Sequence, residues 1–433
     1  MTAVISLPIT ACERQSTEAD LVWAVNIGGP AYVGIDGTEY ESENSVGGGV
    51  VGTMELVKGS QDPALYRTFR EGDIRISRQI PNGRYDVTFH FAEPRDYGGG
   101  DRVLTAYING KPVIEDLDVM RARDGKVDSA LTVTVADIAV TNNALKIDFK
   151  ASAGEPILNA LVVRKKIPRH ADWKLVWNDE FDYTGAPDPD KWEIDVWPAR
   201  KVNDEDQTYT AREKNLRVEN GHLIIEAFKE QLDNAEYTSG RLHSNGKGDF
   251  LYGRFEVRAK LPQGMGTWPA IWMLPSDPFR YATSCEAGAD WQGSSTCDAW
   301  PNSGEIDIME HVGYEMGHVH GTVHNEAYYW AKWEQRKGRI LVDDVASAFH
   351  VYALEWTPED IRIFVDDHLY FVYVNENNGW QTWPYDQPFH VILNIAVGGM
   401  WGRSGGGIDD SIFPQRMEVD YVRVYESAKT GGD

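Results

Sequence analysis

The chain has 433 residues, with 42 Lys and Arg against 67 Asp and Glu and a formal net charge of −25. Such a surface repels phosphate backbones and anionic membranes, which argues against nucleic acid as a partner and makes an anionic polymer a poor substrate, while a neutral polysaccharide stays allowed. Hydrophobic residues at 42% and aromatics at 11% suffice for sizeable cores and exclude disorder, and the length predicts two domains.

Residues 1–20 read as a signal remnant or linker. The run "AVISLPITA" is short and lacks a basic start, so it is not a complete secretory signal. Its Ile9-Thr10-Ala11-Cys12 ending resembles a bacterial lipoprotein cleavage site. That resemblance implies a lipid anchor at Cys12 and a secreted or cell-surface location; the alternative is a stray thiol. No other stretch is long and apolar enough to be a membrane-spanning helix.

From 21 to 165 the segments "RYDVTFHFAE", "RVLTAYING", "ALTVTVADIAV" and "ALKIDFKA" alternate apolar with polar residues between Gly, Asn and Asp turns. This spacing predicts a smaller β-sandwich with its own core. A basic, Pro-containing stretch interrupts the pattern, and the linker is placed at 166–172. From 173 to 427 the strand signature returns in "NLRVENGHLIIEAF", "YGRFEVRAKLP", "DIRIFVDDHLYFVYV" and "FHVILNIAV", leaving a tail at 428–433. Within this half Cys285 and Cys297 bracket the Gly/Ser-rich loop "CEAGADWQGSSTC", which a disulfide closes in an oxidising compartment.

The chemistry concentrates in "GEIDIME", residues 304–310. In a strand Glu305 and Asp307 share one face, Ile306 and Ile308 share the other, and Glu310 falls on the wrong side. One extra residue, a β-bulge near Ile308-Met309, returns Glu310 to the face of Glu305. Three acids in one row raise at least one pKa, which sets a protonated acid beside an ionised carboxylate at neutral pH. A retaining glycosidase needs that pair, with carboxyls roughly 5–5.5 Å apart. An exposed acidic strand or a cation site fits the same spacing.

"WPNSGEIDIMEHVG", with "YGRFEVRAKLPQGMGTWPAIWMLP" before it and "YALEWTPEDIRIFVDD", "ILNIAVGGMWG" and "VDYVRVYE" after it, resembles glycoside hydrolase family 16 on its laminarinase-like branch. The resemblance runs from about Trp173 to Glu426. It implies an all-β, concanavalin A-like β-jelly-roll with an open cleft and endo-acting, retaining hydrolysis of neutral β-1,3 or mixed β-1,3/1,4-glucan. By the same resemblance Glu305 is the nucleophile, Glu310 the acid/base and Asp307 the acid that tunes the nucleophile. Trp300 flanks the cleaved sugar, Trp268 and Trp272 line the cleft, and Trp401 meets the glucan from the Gly-rich loop "AVGGMWGRSGGG". A single Trp on a sandwich strand is otherwise a core residue, which applies to Trp272 above all. Asn203 matches a substrate-binding Asn, although Asp206 replaces the usual apolar neighbour. Arg241 and His324 are candidates to hydrogen-bond sugar hydroxyls or to serve structure alone. The Cys285–Cys297 insertion is expected to close one end of the cleft.

The family also implies a structural Ca²⁺ held by Glu180 and Asp420 with backbone carbonyls near Gly221, and no organic cofactor. The first half, through "NIGGPAY", "DPALYRTFREG" and "IPNGRYDVTFHFAE", resembles a malectin-like carbohydrate-binding domain. Its ligand would sit on loops with Tyr32, Tyr66 and Tyr97; the alternative is a spacer that packs on the enzyme. The chain is expected to be a monomer. Rival readings are a family 16 galactanase of agarose or carrageenan type, a silent glucan-binding protein, and transglycosylation in place of hydrolysis.

Overall fold

The computed structural model describes residues 21–165 and 173–427 apart from 45, 124 and 127. Cys12 and the linker 166–172 lie outside the described residues. The architecture is nearly all strand, in two sandwiches.

Period-two sequence explains the catalytic sandwich. In strand Phe389–Val397, Phe389, Val391, Leu393, Ile395 and Val397 enter the core, while His390, Ile392, Asn394 and Ala396 take the opposite face and are buried there too. Strand Thr267–Pro275 does likewise: Ile271 and Met273 point into the core, and Trp268, Ala270, Trp272 and Leu274 line a cleft. The second sheet supplies the other half of the core from Phe255, Val257 and Ala259 and from Met417, Val419, Val422 and Val424. Gly321 in strand His318–His324 marks where the sheets approach closely. A Cβ there would lie 2.9 Å from the Tyr370 hydroxyl and 3.0 Å from an Ile363 methyl.

The functional sheet is ordered Arg241–His243, Phe389–Val397, Thr267–Pro275, Glu305–Glu310, His318–His324, Arg336–Leu341. It does not end there. Thr134 and Val135 of strand Ala130–Val140 pair in parallel with Ile340 and Leu341, so the N-terminal sandwich prolongs the same hydrogen-bonded sheet. Gln61 reinforces the junction by giving its side-chain amide to the Val374 carbonyl and taking the Val374 N–H, both at 2.8 Å. His368 and Asp86 form a buried hydrogen bond at 2.7 Å, and a cavity of about 150 Å³ lies between the two units. The N-terminal unit is therefore built into the enzyme, with its own core between two sheets.

Tyr66 is buried, its hydroxyl 2.8 Å from His90 Nδ1, and it lines that enclosed cavity. Tyr32 is tied to Asp62, and Tyr97 stands under the Arg102 guanidinium. Tyr32 and Tyr66 thus belong to one apolar cluster beside Asp62, while Tyr97 packs against Arg102.

The junction makes a stability prediction. Removing residues 1–165 uncovers the edge of strand Arg336–Leu341. The truncated enzyme is expected to melt about 5 °C or more below the full chain and to aggregate on heating, as calorimetry and light scattering will register. An unchanged Tm overturns the shared-sheet reading.

Candidate active site

The expected bulge is present and it decides the site. On one side Trp272 pairs with Asp307 and Ile271 with Met309, skipping Ile308; on the other Asp307 pairs with Thr322 and Glu310 with His320. Ile306, Ile308 and Met309 are all fully buried in the core. Glu305, Asp307 and Glu310 consequently share the cleft face.

Register sets their neighbours. One row across the sheet reads Trp272, Asp307, Thr322, Lys337, and the next reads Arg241, Asn394, Ala270, Glu310, His320, Arg339. Each terminal glutamate receives an indole donor: Trp300 Nε1–H to Glu305 at 2.9 Å and Trp268 Nε1–H to Glu310 at 3.0 Å. His324 Nε2 lies 3.5 Å from Asp307 and 3.8 Å from Glu305.

Burial raises all three acids. Glu305 is pushed up to about 8 by burial and then by the Glu310 charge, against the pull of the Trp300 N–H and Arg241. Asp307 goes further up through burial and repulsion from both glutamates. Glu310 is raised by burial and pulled back by Lys337 and the Trp268 N–H. The hydrogen bond between Asp307 and Glu305 works against the rise at Glu305 and favours its anion. His324 is pushed down to about 3 by burial and by Lys337, so it is a neutral imidazole.

Glu305, Asp307 and His324 each offer a ligand atom within 4.8 Å of one another. Burial raises both carboxyls of this group, and a protonated carboxyl is a poor metal ligand, which favours an acid and anion pair over a cation site.

The other expected residues gather around this row. Trp272 is a cleft residue whose Nε1–H donates to Asn394 Oδ1 at 2.8 Å. Trp401 packs edge-on to Trp268 with centroids 5.6 Å apart. Asn203 lines the cleft and accepts from the Met400 N–H at 2.8 Å through its carbonyl. Asp206, the departure from the family pattern, pairs with Arg403 at 2.8 Å and so fastens the Gly-rich loop to the Asn203 segment. Arg241 is buried between the Trp197 and Trp272 rings and bonded to Asp195 and Gln292, so it shapes the cleft wall. Cys285 and Cys297 are bonded, and Trp291 through Ser295 of that insertion line the cleft beside Asn203.

The acids expected to hold calcium converge but are paired with arginines. Register brings the ends of strands Trp173–Asp179 and His222–Leu232 to the same stretch of strand Gln415–Ser427, which gathers Glu180, Gly221 and Asp420. Both oxygens of Glu180 face Arg423, at 2.9 and 2.8 Å, and Asp420 is held by Arg258 at 2.5 Å. Each guanidinium competes with a cation for these oxygens, and an ion that takes six to eight oxygens would need further carbonyl or water ligands there.

Several cleft residues escaped the sequence reading: Glu205, Lys337, Trp330, Trp333, Gln335 and Lys126. "YYWAKWEQ" was legible as an aromatic cluster, whereas nothing local marks Lys126, which comes from the N-terminal sandwich. The whole cleft encloses about 670 Å³.

The raised acids predict a pH effect on stability. Between the ordinary glutamate pKa of about 4.3 and about 8, the unfolded chain releases a proton that the folded row of interacting acids retains, so the row's contribution to stability is lost as pH rises through that window. Glu305→Gln reduces this loss. Its Tm relative to wild type should rise by about 2–5 °C between about pH 5 and about pH 8, read by scanning calorimetry. A constant difference contradicts the raised pKa.

Comparison with known proteins agrees with this geometry. The model described as "Glycosyl hydrolases family 16" matches residues 203–423, just over half of the chain, and the model described as "Malectin domain" matches residues 21–161. A beta-glucanase of Rhodothermus marinus is 53% identical over 259 residues, covering 58% of this chain and 85% of that protein. A keratan-sulfate endo-1,4-beta-galactosidase of Sphingobacterium multivorum is 33% identical over 298 residues, covering 67% of this chain and 63% of its own length. The X-ray structure of the laminarinase from Rhodothermus marinus superposes with a TM-score of 0.54 at 52% identity, covering 60% of this chain and 99% of that one. The chain belongs to glycosyl hydrolases family 16, its catalytic jelly roll preceded by a malectin domain.

Proposed function

We propose that this glycoside hydrolase is an endo-acting, retaining β-glucanase that cuts β-1,3 or mixed β-1,3/1,4 linkages. The observation that carries the reading is the bulged strand, which sets two glutamates, each under its own indole N–H, on the floor of a long cleft walled by Trp268, Trp272, Trp300 and Trp401. Indole faces stack on the C–H faces of β-linked glucose, and neutral partners such as Asn203 and Asn394 suit its hydroxyls.

In the first step Glu310 gives its proton to the departing glycosidic oxygen while a Glu305 oxygen bonds the anomeric carbon and the C–O bond breaks. The Asp307 hydrogen bond and the Trp300 N–H oppose the rise at Glu305, and the reacting form is the one in which Glu310 holds the shared proton and Glu305 is the anion. In the second step ionised Glu310 takes a proton from water, the water oxygen bonds the anomeric carbon, and Glu305 leaves as a carboxylate. Two inversions give net retention.

The Rhodothermus marinus relatives, named a beta-glucanase and a laminarinase, support glucan as the substrate. The sulfated galactan named for the Sphingobacterium protein would meet a strongly anionic surface here. The malectin domain supports carbohydrate binding by the first unit. A disulfide at Cys285–Cys297 supports an oxidising location outside the cytosol, as in a secreted or surface-anchored protein.

Glu305→Gln is expected to lower kcat on laminarin by about 10³-fold or more while leaving glucan binding measurable. Glu310→Gln should lose far less on an aryl β-glucoside with a good leaving group, which needs no proton, than on polysaccharide. Equal losses on both substrates remove Glu310 from the acid role. Proton NMR of the first product should show the β-anomer; an initial α-anomer overturns retention. Non-reducing peptide mapping should recover Cys285 joined to Cys297, and free thiols at both would end the argument for export.

A further inference from the structure

Strand order places the N-terminal sandwich at one end of the cleft. Substrate lying across the sheet passes from the strand of Arg241 over the carboxylates to the strand of Lys337, and beyond it stands the malectin unit. Lys126 of that unit, 8% exposed, lines the same cleft as Glu305. Its ammonium lies 5.5 Å from the centre of the Trp333 ring, and its charge is close enough to depress the His324 imidazole.

Both partners are held in place. Around Lys126, Asp118 accepts from the N–H groups of Met120 and Arg121, and Lys126 donates its own N–H to the Arg123 carbonyl at 3.0 Å. The far side of that loop is pinned by Lys58, which exchanges backbone bonds with Asp128 and Ala130 at 2.8 and 2.9 Å. Trp333 has a left-handed backbone, φ 61°, a conformation a bulky residue keeps only where its surroundings impose it. The next residue, Glu334, is tied across the domains, accepting from the Gly59 N–H of the malectin unit at 3.1 Å and from Arg336 at 3.2 Å. Trp333 remains 52% exposed and Trp330 42% exposed, both turned to the cleft.

We propose that Lys126 and Trp333 form a distal subsite, assembled from both domains, that holds a glucosyl unit of the chain beyond those touching the carboxylates. The indole supplies a stacking face and the ammonium donates to ring hydroxyls. The malectin unit then acts in chain recognition within the catalytic cleft. This inference rests on the glucanase reading above.

The test is kcat/KM for the full-length enzyme on a ladder of β-1,3-linked gluco-oligosaccharides of increasing length. Lys126→Ala and Trp333→Ala should each lose more on long oligosaccharides than on short ones. The long-to-short ratio should fall about fivefold to tenfold, carried by KM, as expected for one lost stacked and hydrogen-bonded unit. The double variant should lose little beyond either single one, and Lys126→Arg should restore most of the ratio. A loss equal at all lengths identifies a structural effect and overturns the subsite, as does a profile identical to wild type. A wild type that cleaves no member of the ladder overturns the substrate reading together with the subsite.

Discussion

One inserted residue governs this molecule. In a regular strand the acid five positions after Glu305 would point into the core, with Ile306 and Ile308. The bulge spends two residues of strand Glu305–Glu310 against one of its neighbour, turns Glu310 outward and brings Met309 into the core beside Ile306 and Ile308. Every later feature depends on that rotation. The indole donors reach the two glutamates only because both lie on one face, and their mutual repulsion, which raises the acids, exists only because they are neighbours.

The site is electrostatically costly and the surrounding sheet absorbs the cost. Three buried carboxyls in a row repel, and Lys337, Arg241 and two indole N–H groups offset part of that repulsion. Lys337, Arg241 and Trp268 sit on strands flanking the acids on both sides and Trp300 on the short helical turn before them, so the catalytic charge is balanced by the sheet and its adjoining turn. A neighbouring strand that slipped by one residue would exchange its cleft and core faces, and the compensation would vanish with the packing.

The parts legible in the sequence were those written locally. Alternation in "FHVILNIAV" and "TWPAIWMLP" gave the strands and their faces, and the length of "GEIDIME" demanded a bulge. The pairing of Cys285 with Cys297 followed from one short loop. What the sequence concealed came from far along the chain. Lys126 reaches a cleft whose carboxylates lie some two hundred positions later, through a sheet junction at Thr134–Ile340 that no periodicity announces. The surroundings of Glu180 and Asp420 were hidden for a related reason: the two acids do converge, and Arg423 and Arg258, on strands close beside them, pair with their carboxylates. Tyr66 looked like a loop aromatic and is instead sealed behind the catalytic unit.

The two indole hydrogen bonds also make the reaction optically visible. Trp268 and Trp300 are chromophores whose N–H groups end on the very oxygens that gain and lose protons or bonds during turnover. The excited indole responds to the charge on its hydrogen-bond acceptor. Emission from these two rings therefore reports the protonation of Glu310 and the covalent state of Glu305, so the enzyme carries an intrinsic fluorophore on each half of its own catalytic pair.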